Sequence, residues 1–332
     1  MTLQKDFPRL WTIEAGVVMV VTDLHGDWEI YRRYRDRFIS LHSRGQADYL
    51  IFTGDLIHRG DQGPDQSLDI VLDVIALQAE YGPAVIYLCG NHELPHIYSI
   101  ILSRGETLYT PPFEAAMSRG GHTDRVLALF RSLPFYVRTR AGVAITHAGA
   151  PSVIARPGQA QKLFNWSHQA LLQWAEEIIA GEDVEALRAG YARLNHAPYN
   201  VLARHYLAVS DPADPRYDNL LRGMFATQHP LFDSLLWPAL FTRCEQEYGL
   251  ADYAIFLDAL LQELSADYHT QQVLITGHIP LRGEYRIVAR RHLRLAGGLH
   301  AASPAKRRYL LFDAAEPVSG PEALVRGVDR AV

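Results

Sequence analysis

The chain has 332 residues, 48% hydrophobic and 21% charged, with a formal net charge of -5, the balance of a soluble globule long enough to bury a substantial core. That charge, with a pI near 6.3, argues against a nucleic-acid partner held by phosphate neutralisation, and no apolar run approaches the roughly 18 to 20 residues that span a membrane. The opening MTLQKDFPRLWTIEAG lacks the apolar centre of a signal peptide, and Cys89 and Cys244 are the only cysteines, so the expectation is a cytoplasmic protein with no disulfide framework, any metal being held by His, Asp, Glu or Asn.

In chain order, GVVMVVTD ends at Asp23 and is a Val-rich apolar run that suits a strand buried on both faces. WEIYRRYRDRFISLHSRG follows, with Ile30, Tyr34, Phe38 and Leu41 at helical spacing and Gly45 as a stop. ADYLIFTGD, ending at Asp55, reads as a second strand, PDQSLDIVLDVIALQAEYG as a second helix and PAVIYLCGN as a third strand. Parallel strands joined by crossover helices satisfy this alternation, and such sheets bind ligands beyond the carboxyl ends of their strands. GVAITHAG from Gly142 and QVLITGHIP from Gln272 are further strands. FYVRT, EYRIVA, RHLRLA and RRYLLFD complete the set, with a spacing that suggests antiparallel pairing late in the chain. Between them, Leu171, Leu172, Ala175, Ile178 and Ile179 make one helical stripe, and Val184, Leu187, Tyr191 and Leu194 a second across GED. These predict an inserted helical hairpin. With no linker, low-complexity tract or internal repeat, one domain over 1–332 with a helical insert over 160–232 is expected.

Five apolar runs end in DLHGD, GDLIHRG, GNHE, THAG and GHIP. Each tetrapeptide alone is weak, and a lone His is more often hydrogen-bonded or solvated than a ligand. Five runs delivering carboxylate, imidazole or carboxamide at the same strand end are another matter, because a parallel sheet gathers them into one crevice. The residues so collected are Asp23, His25, Asp27, Asp55, His58, Arg59, Asn91, His92, Glu93, His147 and His278. Oxygen and imidazole donors without thiolate suit manganese, iron, zinc or nickel. The donors suffice for two shells sharing a carboxylate, an arrangement that activates water and clamps phosphoryl oxygens, and Arg59 lies four residues past Asp55 to meet the substrate's charge.

In this order the motifs D-x-H-G, G-D-x-x-x-R-G, G-N-H-E, H-x-G and G-H resemble those of the calcineurin-like metallophosphoesterases, closest to the phosphoprotein phosphatase branch with its bacterial relatives and its diadenosine tetraphosphatases. They cover the sheet-forming parts from about 18 to 150 and 233 to 313. The resemblance implies an α/β fold, a β-sandwich of mixed sheets flanked by helices. It implies two divalent transition metals, manganese foremost, with Asp23 and His25 on the first, Asn91, His147 and His278 on the second, and Asp55 bridging. It also implies a metal-bridging hydroxide as nucleophile, His92 as the general acid and Arg59 as a phosphate grip. DSLLWP, from Asp233, resembles a segment after which a second phosphate-binding Arg follows, which makes Arg243 either that residue or an ordinary surface Arg. The implied function is hydrolysis of phosphate monoesters, phosphoproteins foremost. A dinucleoside polyphosphate hydrolase and a catalytically silent binding scaffold are the alternatives.

His58 departs from the pattern. Related phosphatases usually carry there an Asp that orients the catalytic imidazole and supports its charged form. A neutral His58 can accept a hydrogen bond from His92 but supports its cation less than an anion does. Asp27, Asp61 or Asp65 are the carboxylates at hand to supply the charge instead, or His58 faces solvent.

Overall fold

The computed structural model describes residues 3–60 and 63–330. Its strands are β1 (Leu3–Phe7), β2 (Leu10–Ile13), β3 (Val17–Val21), β4 (Tyr49–Phe52), β5 (Val85–Tyr87), the short pair β6 (Ser103–Arg104) and β7 (Thr107–Leu108), β8 (Tyr136–Thr139), β9 (Val143–Thr146), β10 (Val273–Thr276), β11 (Tyr285–Val288), β12 (His292–Leu295), β13 (Tyr309–Asp313) and β14 (Val328–Asp329). Apart from that pair they form a seven-stranded sheet ordered β1-β2-β8-β9-β10-β12-β11 and a five-stranded sheet ordered β14-β13-β3-β4-β5.

The three Val- and Ile-rich runs pair in parallel, with Val21 opposite Phe52 and Phe52 opposite Tyr87, so their carboxyl ends finish level. β9 and β10 also pair in parallel, with Ile145 opposite Ile275, but in the other sheet. The five motif-bearing strands are therefore not one parallel sheet; the two sheets pack face to face and present the same end. Their facing residues, among them Val18, Val20, Ile51, Ile86, Val143, Ile145, Ile275, Leu293 and Leu310, form one buried cluster. Strands buried on both faces have no polar face to show, which is why their sequences do not alternate. The late strands follow their spacing in part: β11 and β12 pair antiparallel, as do β13 and β3, but β12 also pairs in parallel with β10, and β8 with β2. The hairpin β1–β2 was not legible as strands, because KDFPRLWTI carries a Pro and charges where an edge strand faces solvent.

Helices cover the outer faces. On the five-stranded sheet α1 (Trp28–Ser43) lays Ile30, Tyr34, Phe38 and Leu41 into a cluster with Met19, Val21, Leu50 and Phe52, and α2 (Ser67–Tyr81) adds Ile70, Val71, Val74 and Leu77. α3 (Leu94–Tyr98), α4 (Thr110–Gly120) and α5 (Thr123–Ser132) follow β5, then α6 (Gln159–Phe164), α7 (His168–Ala180), α8 (Val184–Leu194), α9 (Tyr199–Leu207) and α10 (Asn219–Gln228). The two predicted apolar stripes become α7 and α8 but do not pack simply on each other. Leu171, Leu172 and Ala175 enter the main core, while Ile179, Val184, Leu187 and Tyr191 line a separate small cluster with α9 and α10. Leu194, assigned to the second stripe, is 74% exposed at the end of α8. Past α11 (Trp237–Phe241) and α12 (Glu245–Tyr248), α13 (Leu250–Ser265) packs Leu257, Leu260, Leu261 and Leu264 in the cluster that holds Ala144 and Leu274 of the seven-stranded sheet. Among the described residues no helix is long and apolar enough to cross a membrane.

His168 opens α7 in full burial, its Nδ1 accepting from Tyr98 Oη at 2.7 Å. Burial first, then Arg9 and Arg131, push its imidazole well below the usual value. The unfolded chain, with His near 6.5, therefore binds more protons than the folded one, and this contribution to stability is present above about pH 6.5 and lost as pH falls below it. The expected result is that His168→Asn makes the acid-side fall of unfolding free energy shallower, by at most about 1.4 kcal/mol per pH unit. Chemical denaturation at pH 7.5, 6.5 and 5.5 measures it, and an unchanged slope contradicts the assignment.

Candidate metal centre

At the shared sheet end the chain turns sharply. Asp23, His25, Asp55, His58 and His278 all have left-handed backbones, with φ of 39°, 47°, 53°, 71° and 66°. Non-glycine residues adopt this region at a cost and only where surroundings enforce it. Here Asp55 O accepts from Leu24 N and His25 N at 2.9 Å each, and Leu56 O from Gly26 N at 2.7 Å. The Glu93 carboxylate, fully buried, accepts from Asp55 N (3.0 Å), Leu56 N (3.1 Å), Gly90 N (2.9 Å) and Tyr87 Oη (2.7 Å). The acid of GNHE thus clamps two strand-end loops together. A side chain at Gly54 has no room, since its Cβ would lie 2.7 Å from the Gly90 backbone.

The donors converge on Asp55. His147 Nδ1 donates to Thr53 O at 2.9 Å, which leaves the Nε2 lone pair facing Asn91 Oδ1 at 2.8 Å, His278 Nδ1 at 3.1 Å and Asp55 Oδ2 at 3.5 Å. His25 Nδ1 lies 3.3 Å from Ile57 O as a donor, so Nε2 faces His300 Nε2 at 3.2 Å and Asp55 Oδ2 at 3.9 Å. Backbone carbonyls on the far ring nitrogens are the usual means of fixing which nitrogen a ligand His presents. Three triads have ligand atoms within 4.8 Å of one another: Asp23, His25 and His300; His25, Asp55 and His92; Asp55, His147 and His278.

Electrostatics agree. Burial, then His300, pushes His25 down to about 3, and burial pushes His147 to about 4. His92 and His278 are held well below the usual value, by burial and then by His25 and His147 respectively. Burial, then Glu93 and Asp23, pushes Asp55 well above the carboxylate range. Asp23 stays below that range because His300, His147 and His25 outweigh its own desolvation. Neutral imidazoles and carboxylates crowded acceptor against acceptor repel one another until a cation lies between them. The donor set, nitrogen and oxygen without sulfur, fits divalent transition metals.

His300 was missed in the sequence. It follows Gly297 and Gly298, at each of which a Cβ would overlap a backbone oxygen, that of Thr22 or Asp23. The paired glycines let the loop after β12 lie directly on the end of β3, where Tyr34 Oη donates to Gly297 O at 2.5 Å. His300 Nδ1 is buried without a hydrogen-bond partner, 3.4 Å from Asp23 Oδ1. The legible signal was a His just past a Gly-Gly at the end of an apolar strand.

The remaining site residues divide. His92 Nδ1 meets His58 Nδ1 at 3.0 Å while its Nε2 points toward Asp55 Oδ2 at 3.9 Å. His58 is 2% exposed, so it does not face solvent. Asp27 caps α1 through Ile30 N at 3.1 Å and pairs with Arg59 Nη2 at 3.0 Å. Asp65 accepts from Arg59 N at 3.3 Å and Ser67 N at 2.9 Å. Neither carboxylate supports His92; Asp61 lies outside the described residues. Arg243 is exposed, its Nη2 donating to Gln246 at 3.1 Å, and among the described residues no ion pair ties it to the cluster. Arg307 is a cation the sequence did not flag. It is half-buried, its Nε without a hydrogen-bond partner among the described residues, and burial, outweighing the attraction of Asp27, holds it below its usual value.

Two curated relatives match part of the chain. A symmetrical bis(5'-nucleosyl)-tetraphosphatase of Nitrosococcus oceani is 26% identical over 40% of this chain and 44% of its own. The protein of the same name from Methylococcus capsulatus is 28% identical over 34% and 39%. The match thus spans less than half the length of either. Among solved structures, a serine/threonine phosphatase of Saccharomyces cerevisiae with similarity to human phosphatase PP5 aligns over 92% of this chain and 77% of its own, at 13% identity and a TM-score of 0.48. A cold-active protein tyrosine phosphatase aligns over 94% and 78%, at 14% identity and 0.47. A family model, calcineurin-like phosphoesterase, matches residues 16–223, a stretch that holds Asp23, His25, Asp55, Asn91, His92 and His147. With these residues converging at one sheet end, the chain belongs to the calcineurin-like phosphoesterases.

Proposed function

We propose that the protein hydrolyses phosphate monoesters at a two-metal centre. Asp23, His25 and His300 would hold one ion, Asn91, His147 and His278 the other, with Asp55 shared. The observation that carries this reading is the set of lone pairs facing one another around Asp55 Oδ2. Manganese is the first choice, with iron, zinc and nickel compatible with the same donors. Bound ions supply an activated water and neutralise charge on the phosphoryl oxygens.

The chain's own residues do the rest. Arg59 presents a planar fork to the phosphoryl group, and Asp27 fixes that fork through Nη2. Arg307, within electrostatic reach of Asp27 and Arg59, adds a second positive charge beside it. His92 delivers a proton from Nε2 to the leaving oxygen. Tyr109 stacks on His58 at 5.7 Å and meets His92 edge-on at 5.2 Å, covering the contact between the two imidazoles. The domain is read as single, with helices over 160–232 as an insert that shapes substrate choice.

Phosphorylated protein side chains are the leading substrate class, since a single phosphoryl group matches the Arg59 fork. The names of the two partial relatives favour a second reading, a dinucleoside polyphosphate hydrolase. Metal-supplemented turnover of an aryl phosphate, a phosphopeptide panel and diadenosine tetraphosphate, side by side, separates them. Preference for phosphopeptides supports the first and preference for the dinucleotide the second. No turnover on any of them by metal-loaded protein contradicts both and leaves a binding scaffold.

A further inference from the structure

The contact between His92 and His58 is the first link of a longer chain. His58 Nε2 meets His96 Nε2 at 2.8 Å, and His96 Nδ1 meets Glu114 Oε1 at 2.5 Å. His92 lies in the turn that leads into α3, His96 lies within α3, and Glu114 projects from α4. His58, His96 and Glu114 are 2%, 2% and 8% exposed, enclosed by Phe113, whose ring lies 4.8 Å from His96 and 5.9 Å from His58. Three imidazoles in line, ending on a buried carboxylate, are not needed for packing, which an apolar cluster would do without any polar group to satisfy.

The hydrogen-bond roles follow from the end of the line. An ionised carboxylate only accepts, so His96 donates from Nδ1 and must accept at Nε2. His58 then donates from Nε2 and accepts at Nδ1, so His92 donates from Nδ1. Each link fixes the next, and the ring atom of His92 left to face the centre is Nε2. We propose that Glu114 and His96, acting through His58, are positioning residues that set the ring orientation and tautomer of His92. They supply from two imidazoles away the carboxylate that related phosphatases place next to the acid. This rests on the reading of His92 as proton donor. In the step itself, a water oxygen bonds to phosphorus as the P–O bond to the leaving group breaks and its electron pair passes to the leaving oxygen, while the proton given up by that water, taken at His92 Nε2, moves on to the leaving oxygen. His92 is left neutral, with its Nδ1–H still given to His58.

The test is a double-mutant cycle on the metal-loaded enzyme, with kcat and KM measured for one alkyl and one aryl phosphate and metal content measured throughout. Glu114→Gln lowers kcat on the alkyl ester by about 10- to 100-fold, a part of the 10²- to 10⁴-fold typical of a general acid. On the aryl ester, with its good leaving group, the loss is below about threefold, and KM and metal content hold. In a His58→Asp background, where a carboxylate stands directly beside His92, the loss from Glu114→Gln on the alkyl ester shrinks below about threefold. His96→Gln, which keeps a donor for Glu114 but breaks the ring-to-ring path, reads the same link should Glu114→Gln fail to fold. Equal losses on the two esters, or equal losses in the two backgrounds, overturn the relay. His92→Ala run alongside separates the two claims: a leaving-group-dependent loss there with none from Glu114→Gln sinks the relay alone, and no such loss from His92→Ala sinks the proton-donor reading beneath it.

Discussion

His92→Ala lowers turnover on an alkyl phosphate by about 10²- to 10⁴-fold, equivalent to about 3 to 5 kcal/mol of transition-state stabilisation. The loss on an aryl phosphate is much smaller, because a good leaving group departs without a proton. The substitution removes the ring and leaves the backbone, and it is His92 N that donates to Asp55 Oδ1 at 3.0 Å. Asp55 therefore keeps its orientation and the bound metal stays near the wild-type level. His92 Nε2 lies within ligand reach of Asp55 and His25, so elemental analysis of the variant decides between two roles. A full complement of metal with a leaving-group-dependent loss identifies a proton donor; loss of an ion with equal effects on both esters identifies a ligand.

Asp55→Asn has an effect of similar size and the opposite signature. The carboxylate is 1% exposed and repelled by Glu93 and Asp23, so in metal-free protein it is a source of instability that a cation offsets. The amide is neutral, and its oxygen can still accept from His92 N. Its nitrogen can donate toward the lone pair of His147 Nε2, which lies 3.5 Å from Asp55 Oδ2. The expected result is a metal-free variant at least as heat-stable as metal-free wild type that gains much less on adding manganese. Wild type gains ~2.7 kcal/mol per site when free metal is a hundredfold above Kd. Turnover falls with the lost metal, by at least about 10³-fold, since a bridging ligand serves both ions. Differential scanning calorimetry with and without metal measures the stability arm. A variant that gains as much from metal as wild type contradicts the shared-ligand assignment.

Both predictions rest on strand ends legible from sequence, and the reason is physical. A strand buried on both faces needs an unbroken apolar run, so VVMVV, YLIF and VLIT stand out, and whatever polar group ends such a run is conspicuous. The division of these strands between two sheets was not legible in the runs themselves, because pairing is set by register and crossover, which periodicity does not encode. Leu194 fell outside its expected face because a stripe at helical spacing does not say where a helix loses its partner. His300 and Glu114 were hidden for a related reason. Each reaches its place through a contact distant in sequence, His300 by the Gly297–Gly298 approach to Thr22 and Asp23, and Glu114 by the packing of α4 on α3. His58 was conspicuous as a departure, while the carboxylate behind it lies 56 residues on, in a helix whose acid has the look of a solvated one.

The number of ions the chain binds tests the central claim most directly. Metal-stripped protein titrated with manganese and analysed for metal after gel filtration should retain two ions per chain, because the donors around Asp55 divide into sets on both sides of one carboxylate. One ion, or none, retained by folded protein that still hydrolyses an aryl phosphate contradicts the two-metal centre.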